Sequence, residues 1–347
     1  MINRMRSFLL FACCFFFVSS LSAQLAVELE RFSLDGRPFD MWGIRVASAS
    51  QSDELTEHLI AQLDDYKAHG VNTVTLFLQG SSGAYSDPFR KNGKKVDDPH
   101  WARVEKIVAA CEERDMVAII GIFYQRVMAN MSGDLQIKNA KGVENAVKTV
   151  AKKLKGTPNV ILNIANEHNS SYYKKCEFYD FNNPQNMIDL CRLASSNAPD
   201  LLVGAGGYHD DSNVQIGKSG HVDVLLFDTF DDDVENGQHS KWHYEYFKAN
   251  GVPDKPIVNV EMFGGWTGKF MPPGVYPPEG QAVHFIDVDE AAEIPGLSVF
   301  FHSNPWCQGG KVGTVGGANR YDLAGRGTEE DPGIRWWFEY VRDTRKQ

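Results

Sequence analysis

The chain has 347 residues, of which 43% are hydrophobic and 23% are charged. This composition fits a globular protein with a sizeable core and excludes collagen-like and intrinsically disordered chains. The net charge of −10 disfavours nucleic acid and anionic membrane surfaces as partners.

Residues 1–23 have the layout of a secretory signal peptide. Arg4 and Arg6 precede an apolar run, and small residues follow it up to Ala23. The apolar run is shorter than the roughly 20 residues of a membrane-spanning helix. We therefore expect cleavage near Ala23, export to the periplasm or the medium, and no integral membrane association, with an uncleaved anchor as the alternative. Residues 24–347 then form one domain.

Strands and helices are predicted to alternate along this domain. The segment "LERFSLDGRPFDMWGIRV" predicts a hairpin with Asp35-Gly36 at its tip, followed by a strand from Trp42 to Val46. Further strands are predicted in "GVNTVTLFLQ", "MVAIIGIFYQR", "NVILNIA", "DLLVGAGGYH", "HVDVLLFDTF", "KPIVNVEMFGG" and "GLSVFFHSNPW". Helices are predicted in "DELTEHLIAQLDDYKAHG", "DPHWARVEKIVAACEERD", "GVENAVKTVAKKLKG", "NPQNMIDLCRLASSNAP", "SKWHYEYFKANG", weakly near 287–294, and in "PGIRWWFEYVRD".

This alternation predicts an α/β fold, a (β/α)8 TIM barrel of a single domain, which we expect to be a monomer. No GxGxxG or GxxxxGK turn follows a strand, which disfavours a doubly wound open sheet. No CxxC or His-rich spacing suggests a zinc site. A disulfide between Cys176 and Cys191 and a pair of buried free thiols are both open.

Two predicted strands end on a glutamate after an apolar run. The fourth barrel strand runs into Asn166-Glu167-His168, and the seventh ends on Glu261. Catalytic groups of such barrels lie at the C-terminal ends of the strands, and strands four and seven are nearly opposite, so the two carboxyl groups can meet over the centre. Two such carboxyl groups can hydrolyse a glycosidic bond, with retention at about 5 Å separation and inversion at roughly 6.5–9.5 Å.

The segments "NIANEH" and "NVEMFGG" resemble the Asn-Glu and Glu signatures of clan A of the glycoside hydrolases, most closely the family 5 type. The segment "DPHWARVEKIVAACEERDMVAIIGIF" is similar to the second helix and third strand of that group. The resemblance implies a retaining hydrolase of a β-linked polysaccharide or oligosaccharide that needs no cofactor and no metal. It also implies Glu167 as general acid/base, Asn166 as donor to the sugar 2-hydroxyl, and Glu261 as nucleophile.

The chain departs from the family 5 pattern on several strands. The sixth strand of that family usually carries His-x-Tyr, with the Tyr in contact with the nucleophile, whereas this chain has Asp228 and Phe230. The arginine expected near strand two is missing, and Arg45 on strand one could replace it. His168 stands where a proline is common, and strand eight offers His302 where a tryptophan is common.

Aromatic and polar side chains near strand ends or in loops are the further candidates for sugar binding. An aromatic ring can stack on the apolar face of a sugar, and Trp266 is the best such candidate because it begins a loop too long for a mere connection. Tyr208 and His209 are alternatively a buried hydrogen-bonded pair. The candidate substrate-binding residues are Asn166, Arg45, Trp42, Tyr124, His168, Tyr208, His209, Trp266, His302 and Trp306.

Two other functions are open from the sequence. One is a non-catalytic carbohydrate-binding protein on a degenerate glycosidase barrel, which the altered sixth and eighth strands make credible. The other is a metal-dependent barrel hydrolase, which the lack of a His-x-His pair on strand one disfavours. The intact glutamate pair favours hydrolysis, because a pure binding protein has no use for it.

Overall fold

The computed structural model describes residues 24–82, 84–264, 272–308 and 319–346. The predicted signal peptide, residues 1–23, and the predicted sugar platform Trp266 lie outside these described residues. In the described part of the chain, no helix is both long and apolar enough to cross a membrane.

The strands and helices alternate as the sequence predicts. The strands are β1 (Leu25–Glu28), β2 (Arg31–Leu34), β3 (Arg37–Phe39), β4 (Trp42–Arg45), β5 (Thr73–Phe77), β6 (Gly80–Ser81), β7 (Ala84–Tyr85), β8 (Phe89–Arg90), β9 (Lys95–Val96), β10 (Val117–Phe123), β11 (Val160–Ala165), β12 (Leu202–Ala205), β13 (Val224–Phe230), β14 (Ile257–Gly264) and β15 (Leu297–Phe301). The helices are α1 (Asp53–Ile60), α2 (Leu63–Ala68), α3 (Asp98–Glu112), α4 (Gln125–Met128), α5 (Ala140–Leu154), α6 (Pro184–Asn197), α7 (Asp210–Gly217), α8 (Asp231–Glu235), α9 (Ser240–Ala249), α10 (Pro278–Glu293), α11 (Asn304–Cys307) and α12 (Arg335–Thr344), with a 3₁₀ helix at Ser171–Lys175.

Eight parallel strands close into a barrel in the order β4, β5, β10, β11, β12, β13, β14 and β15, with β15 pairing with β4. The predicted (β/α)8 barrel is therefore confirmed. All seven residues of β10 are buried, because one face of each strand lines the barrel and the other is covered by helices. This double burial is why the barrel strands read as nearly continuous apolar runs.

A small antiparallel sheet of β1, β2 and β3 packs against the N-terminal ends of the barrel strands. The predicted hairpin is present, with Asp35 and Gly36 at its tip and both φ angles positive, at 57° and 69°. Phe32 and Leu34 join the barrel's inner core with the first residues of β10 and β13. The inner core therefore occupies the N-terminal half of the barrel and leaves the C-terminal ends of the strands for polar side chains.

A glycine inside the barrel makes room for an aromatic ring next to it. A Cβ at Gly121 of β10 would lie 1.9 Å from Cδ1 of Phe77 of β5. The Phe77 ring in turn lies under the guanidinium of Arg45, 5.1 Å from the ring centroid to Cζ. The Phe77 ring therefore supports the side chain of Arg45 at the C-terminal end of β4.

Two of the longer helices differ from the sequence prediction, and the short helices α4, α8 and α11 form where no helix is expected. Helix α7 forms where only a short connection is expected, and α10 covers Pro278–Glu293 where only a weak helix near 287–294 is expected. The buried face of α10 includes the polar residues His284 and Asp287, so its apolar periodicity is interrupted. Cys176 and Cys191 are both buried free thiols, so the disulfide alternative is wrong.

Candidate active site

Glu261 lies at the C-terminal end of the barrel in an ion pair with Arg45. The guanidinium Nη1 of Arg45 contacts Oε2 of Glu261, and the two side chains are 1% and 4% exposed. Burial removes the solvent screening that weakens surface ion pairs, so each charge depends on the other. Arg45 thus supplies the positive charge that faces the Glu261 carboxyl group.

His302, which follows β15, approaches the other carboxylate oxygen. Its Nε2 lies 3.3 Å from Oε1 of Glu261 and 3.0 Å from Oδ1 of Asn304. Burial lowers the pKa of His302 to about 4, so the imidazole is neutral at neutral pH. Nε2 of Gln308 also lies 3.4 Å from this ring nitrogen. His302 therefore contacts Glu261 without adding a charge.

A buried hydrogen-bond network fixes the strand that carries Glu261. The backbone N–H of Glu261 donates to Oδ1 of Asn259 at 3.2 Å, and Nδ2 of Asn259 donates to Oγ1 of Thr229 and Oγ of Ser240. The backbone N–H of Ser240 donates to Oδ1 of the fully buried Asp287 at 2.9 Å. This network links β13, β14, α9 and α10, and so fixes the backbone position of Glu261.

Glu167 follows β11 and faces the same end of the barrel. Its φ angle of 42° places it in the left-handed region, which non-glycine residues rarely adopt and which is common at functional sites. Nε2 of Gln125 donates to Oε2 of Glu167 at 2.9 Å, and Oε1 of Gln125 accepts from Nδ2 of Asn166 at 2.9 Å. One glutamine thus positions both the glutamate and the preceding asparagine.

The two glutamates have opposite electrostatic environments. Burial, followed by the charge of Glu261, raises the pKa of Glu167 from 4.5 to about 8, and Arg45 opposes this only in part. Glu167 therefore keeps its proton at neutral pH, while Glu261 is the carboxylate that Arg45 contacts. A protonated acid beside an ionised carboxylate is the arrangement that acid-assisted displacement needs.

Three of the predicted site residues surround this pair, and two more lie at the rim. Asn166, Arg45 and His302 surround Glu167 and Glu261, as described above. At the rim, the ring of the half-buried Tyr208 lies 4.6 Å from that of the exposed His209, and the Tyr208 hydroxyl donates to the Asn169 carbonyl. Both stay candidates for sugar contact.

Tyr124 lies next to Glu167 but is buried. Its hydroxyl is 3.0 Å from Oγ of Ser82 and accepts from the Ser82 backbone N–H at 3.1 Å. Burial is the main cause of a raised pKa of Tyr124, to which the charge of Glu167 adds. The residue therefore forms part of the wall behind the site, and its sugar-binding role stays a prediction.

Three predicted substrate-binding residues do not reach the site. Trp42 is the first residue of β4 and lines a cavity at the opposite end of the barrel. Both ring nitrogens of the fully buried His168 are engaged, Nδ1 by the Phe181 carbonyl and Nε2 by the Ser212 hydroxyl.

Trp306 is 2% exposed, and the Arg320 guanidinium covers its ring at 4.0 Å. These three predictions are wrong because proximity to a strand end in sequence does not determine which way a side chain points.

Sequence reasoning missed the roles of Gln125 and Asp228. Gln125 follows β10 after the intervening Tyr124, and only its contacts distinguish it from its neighbours. Asp228 follows the apolar run "VLLF" of β13, which is the same signal that identified Glu167 and Glu261. In the structure Asp228 is buried and is the register partner of Glu261 on the adjacent strand.

Comparison with known protein families identifies one family for this chain. A family model described as "Cellulase (glycosyl hydrolase family 5)" matches residues 33–219, more than half of the chain. No curated protein sequence matches the chain.

Among solved structures, the chain is similar to a glycoside hydrolase family 5 mannosidase from Rhizomucor miehei, at 12% identity and a TM-score of 0.62 over 94% of this chain and 97% of that one. It is also similar to a β-1,4-D-mannanase from Cryptopygus antarcticus, at 12% identity and a TM-score of 0.58 over 94% of this chain and 95% of that one. A third similar structure is a glycoside hydrolase family 5 protein from Bacteroides vulgatus, at 15% identity and a TM-score of 0.59 over 83% of this chain. The chain spans only 64% of the length of that third protein. At these identities the structural similarity shows the fold alone.

Proposed function

The chain belongs to glycosyl hydrolase family 5, a family of glycoside hydrolases, and on this premise we propose that it cleaves a β-linked polysaccharide or oligosaccharide with retention. Glu167 is the general acid/base and Glu261 the nucleophile. The observation that carries this proposal is the contrast between the two glutamates, because Arg45 contacts Glu261 while burial and the Glu261 charge keep Glu167 protonated.

The first step transfers the proton of Glu167 to the glycosidic oxygen. As that oxygen leaves with the departing sugar, Oε1 or Oε2 of Glu261 attacks the anomeric carbon and forms a covalent glycosyl-enzyme ester. Glu167 is then an ionised carboxylate. In the second step it takes a proton from water, the water oxygen attacks the anomeric carbon, and the ester bond to Glu261 breaks. The sugar leaves with its original anomeric configuration, and Glu167 is protonated again.

The neighbouring residues have distinct parts in this cycle. Arg45 and His302 stabilise the Glu261 carboxylate before attack and when it departs from the ester, because both contact its oxygens. Gln125 holds Glu167 and Asn166 in a fixed relative position. Oδ1 of Asn166 has no hydrogen-bond partner among the described residues, so it is available to a sugar hydroxyl.

Export of the protein and the sugar it recognises are further parts of the proposal. We propose that residues 1–23 direct secretion, which suits an enzyme whose polymeric substrate lies outside the cell. N-terminal sequencing of the protein from the producing cells should find Gln24 as the first residue, whereas an intact Met1 would contradict cleavage. Mannans are the first polysaccharides to test, because two of the similar folds are a mannosidase and a mannanase.

The test is the release of reducing ends from a panel of β-mannans, β-glucans, xylans and algal polysaccharides. We expect the wild type to degrade at least one of them, and Glu261→Gln and Glu167→Gln to lose this activity. Glu290→Gln is the matched control, because this partly buried glutamate of α10 accepts a hydrogen bond from the Lys241 backbone far from the pair. NMR of the newly released product should show the β-anomer first.

Three results would contradict the proposal. An α-anomer as first product would mean inversion. Full activity of Glu261→Gln would show that Glu261 is not the nucleophile. Binding of a glycan by the wild type without any hydrolysis would favour the carbohydrate-binding alternative.

A further inference from the structure

A third buried carboxyl group lies in the active site and has no part in the cycle described above. Asp228 of β13 is paired with Glu261 of the adjacent parallel strand β14 at a β-bulge, and the two carboxyl groups are close enough for the charge of Glu261 to act on Asp228. Asp228 is 4% exposed, and its Oδ1 has no hydrogen-bond partner among the described residues. A buried polar atom without a partner costs free energy, so its presence needs a cause.

The groups around Asp228 disfavour a negative charge on it. Burial raises the pKa of Asp228 well above its usual value, the charges of Glu261 and Glu167 add to this, and Arg45 opposes it. Arg45 is already in contact with Glu261, and among the described residues no other cation forms an ion pair with Asp228. Five titratable or charged groups interact electrostatically with Asp228: Glu261 of β14, Glu167 after β11, Arg45 of β4, Tyr208 after β12 and Tyr173 of the 3₁₀ helix.

We propose that Asp228 is a substrate-binding residue whose uncharged carboxyl group contacts a hydroxyl of the sugar that lies against Glu261, and so determines which sugar is accepted there. An uncharged carboxyl group has one donor and at least one free acceptor, which matches a hydroxyl group. The bound sugar supplies the partner that Oδ1 lacks among the described residues. The inference rests on the proposed function, because it requires a sugar ring over Glu261.

An amino sugar is the competing ligand, and the observations disfavour it. An ammonium group needs an ionised carboxylate to offset its desolvation. Ionised Asp228 would place a second negative charge beside Glu261 in a buried site whose arginine is already paired with Glu261. A neutral sugar with a hydroxyl in this position is therefore the substrate class that Asp228 selects.

The test compares Asp228→Leu and Asp228→Asn on the polysaccharide that the wild type degrades. Loss of one donor at a catalytic site typically costs about 100-fold in rate, so we expect kcat/KM of Asp228→Leu to fall by about that factor. The amide of Asp228→Asn keeps a donor and an acceptor, so its loss should be less than about tenfold.

Asp223→Asn is the matched control. Asp223 precedes the same strand at the opposite end of the barrel, where its Oδ2 accepts from the Val203 backbone N–H. We expect its kcat/KM to stay within about twofold of the wild type. Wild-type kcat/KM in Asp228→Leu, or equal losses in the two Asp228 variants, would overturn the inference. Should Asp228→Leu fail to fold, Asp228→Ser takes its place.

The alkaline limit of the pH profile distinguishes an uncharged from a charged Asp228. If Asp228 is uncharged, Asp228→Asn removes no charge, so the alkaline pKa that Glu167 sets in kcat/KM stays in place. If Asp228 is ionised, its removal lowers the pKa of Glu167, and activity is lost at lower pH than in the wild type. The second result would overturn the inference, and a merely structural role would not produce it.

Infrared spectroscopy gives a measurement that does not require activity. At pH 7 we expect the wild type to show, besides the C=O absorption of protonated Glu167, a second protonated-carboxyl C=O band that Asp228→Asn lacks and Asp223→Asn retains. Identical spectra for the wild type and Asp228→Asn would overturn the inference. A wild type that degrades no polysaccharide but shows the band would contradict the proposed function while supporting an uncharged Asp228.

Discussion

The buried ion pair between Arg45 and Glu261 makes the sharpest prediction for stability and activity together. Arg45→Met keeps much of the side-chain volume over Phe77 but leaves the Glu261 carboxylate without its cation. Both side chains are nearly inaccessible to solvent, so we expect the variant to lose about 3–5 kcal/mol of folding stability, as is typical when one partner of a buried ion pair is removed. A surface ion pair would contribute less than about 1 kcal/mol. We also expect kcat to fall by about 100- to 1,000-fold, since the carboxylate loses its main electrostatic support.

The cost can be read as a melting temperature. Unfolding entropy of about 2.1 cal/mol/K per residue gives about 0.7 kcal/mol/K for a chain of 347 residues, so 3–5 kcal/mol lowers Tm by about 4–7 °C. Calorimetry at pH 7 measures this shift. The double variant with Glu261→Gln should be at least about 2 kcal/mol more stable than the sum of the two single variants predicts, because it buries no unpaired charge.

Acid pH provides the internal control for this reasoning. Protonation of the unpaired Glu261 removes its buried charge, so the difference between Arg45→Met and the wild type should shrink as pH falls. A Tm at pH 7 within about 1 °C of the wild type, together with additive single variants, would refute the burial argument.

Three further predictions concern Glu167, its partner Gln125, and the packing of Gly121 against Phe77. Glu167 must be protonated in the first step, so kcat/KM should decline as pH rises through about 8. Because the pKa of Glu167 in the folded protein lies above the usual 4.5, this residue lowers the stability of the fold as pH rises between these two values. Thermal unfolding should therefore show Glu167→Gln gaining stability over the wild type across that range, and parallel curves for the two proteins would contradict the raised pKa. Gln125→Leu leaves Glu167 and Asn166 without their shared partner, and steady-state kinetics should show kcat/KM lower by about 10- to 100-fold; wild-type kinetics would exclude this role. Gly121→Ala should cost about 1–3 kcal/mol in denaturant unfolding, because its Cβ overlaps the Phe77 ring; an unchanged midpoint would show that the ring can move away freely.

The barrel is predictable from the sequence because its signals are local. The seven apolar residues of β10 and the Asp35-Gly36 turn are patterns of neighbouring residues, and each corresponds to one element of structure. Helices α7 and α10 are the exceptions. Their faces are defined by what packs on them, including the buried His284 and Asp287 of α10, so their periodicity in sequence is weak.

The glutamate pair is predictable for a topological reason. In a parallel barrel every strand has the same direction, so a polar residue that ends an apolar strand reaches the C-terminal face, wherever it lies in the sequence. Glu167 and Glu261 could be paired on that basis, and Arg45 could be named because β4 ends at the same face. The same argument gave too many candidates in loops and at strand starts, of which Trp42, His168 and Trp306 are buried elsewhere.

The sequence by itself therefore determined the barrel, the face that carries the site, and the two glutamates. Only the tertiary structure decided which glutamate is paired with Arg45 and that Gln125 joins Glu167 to Asn166. It also decided that Asp228 lies beside Glu261, with its Oδ1 lacking a hydrogen-bond partner among the described residues. The physical reason is that strand direction and burial follow from local patterns, whereas ionisation depends on distances of a few ångströms between groups that are far apart in the chain.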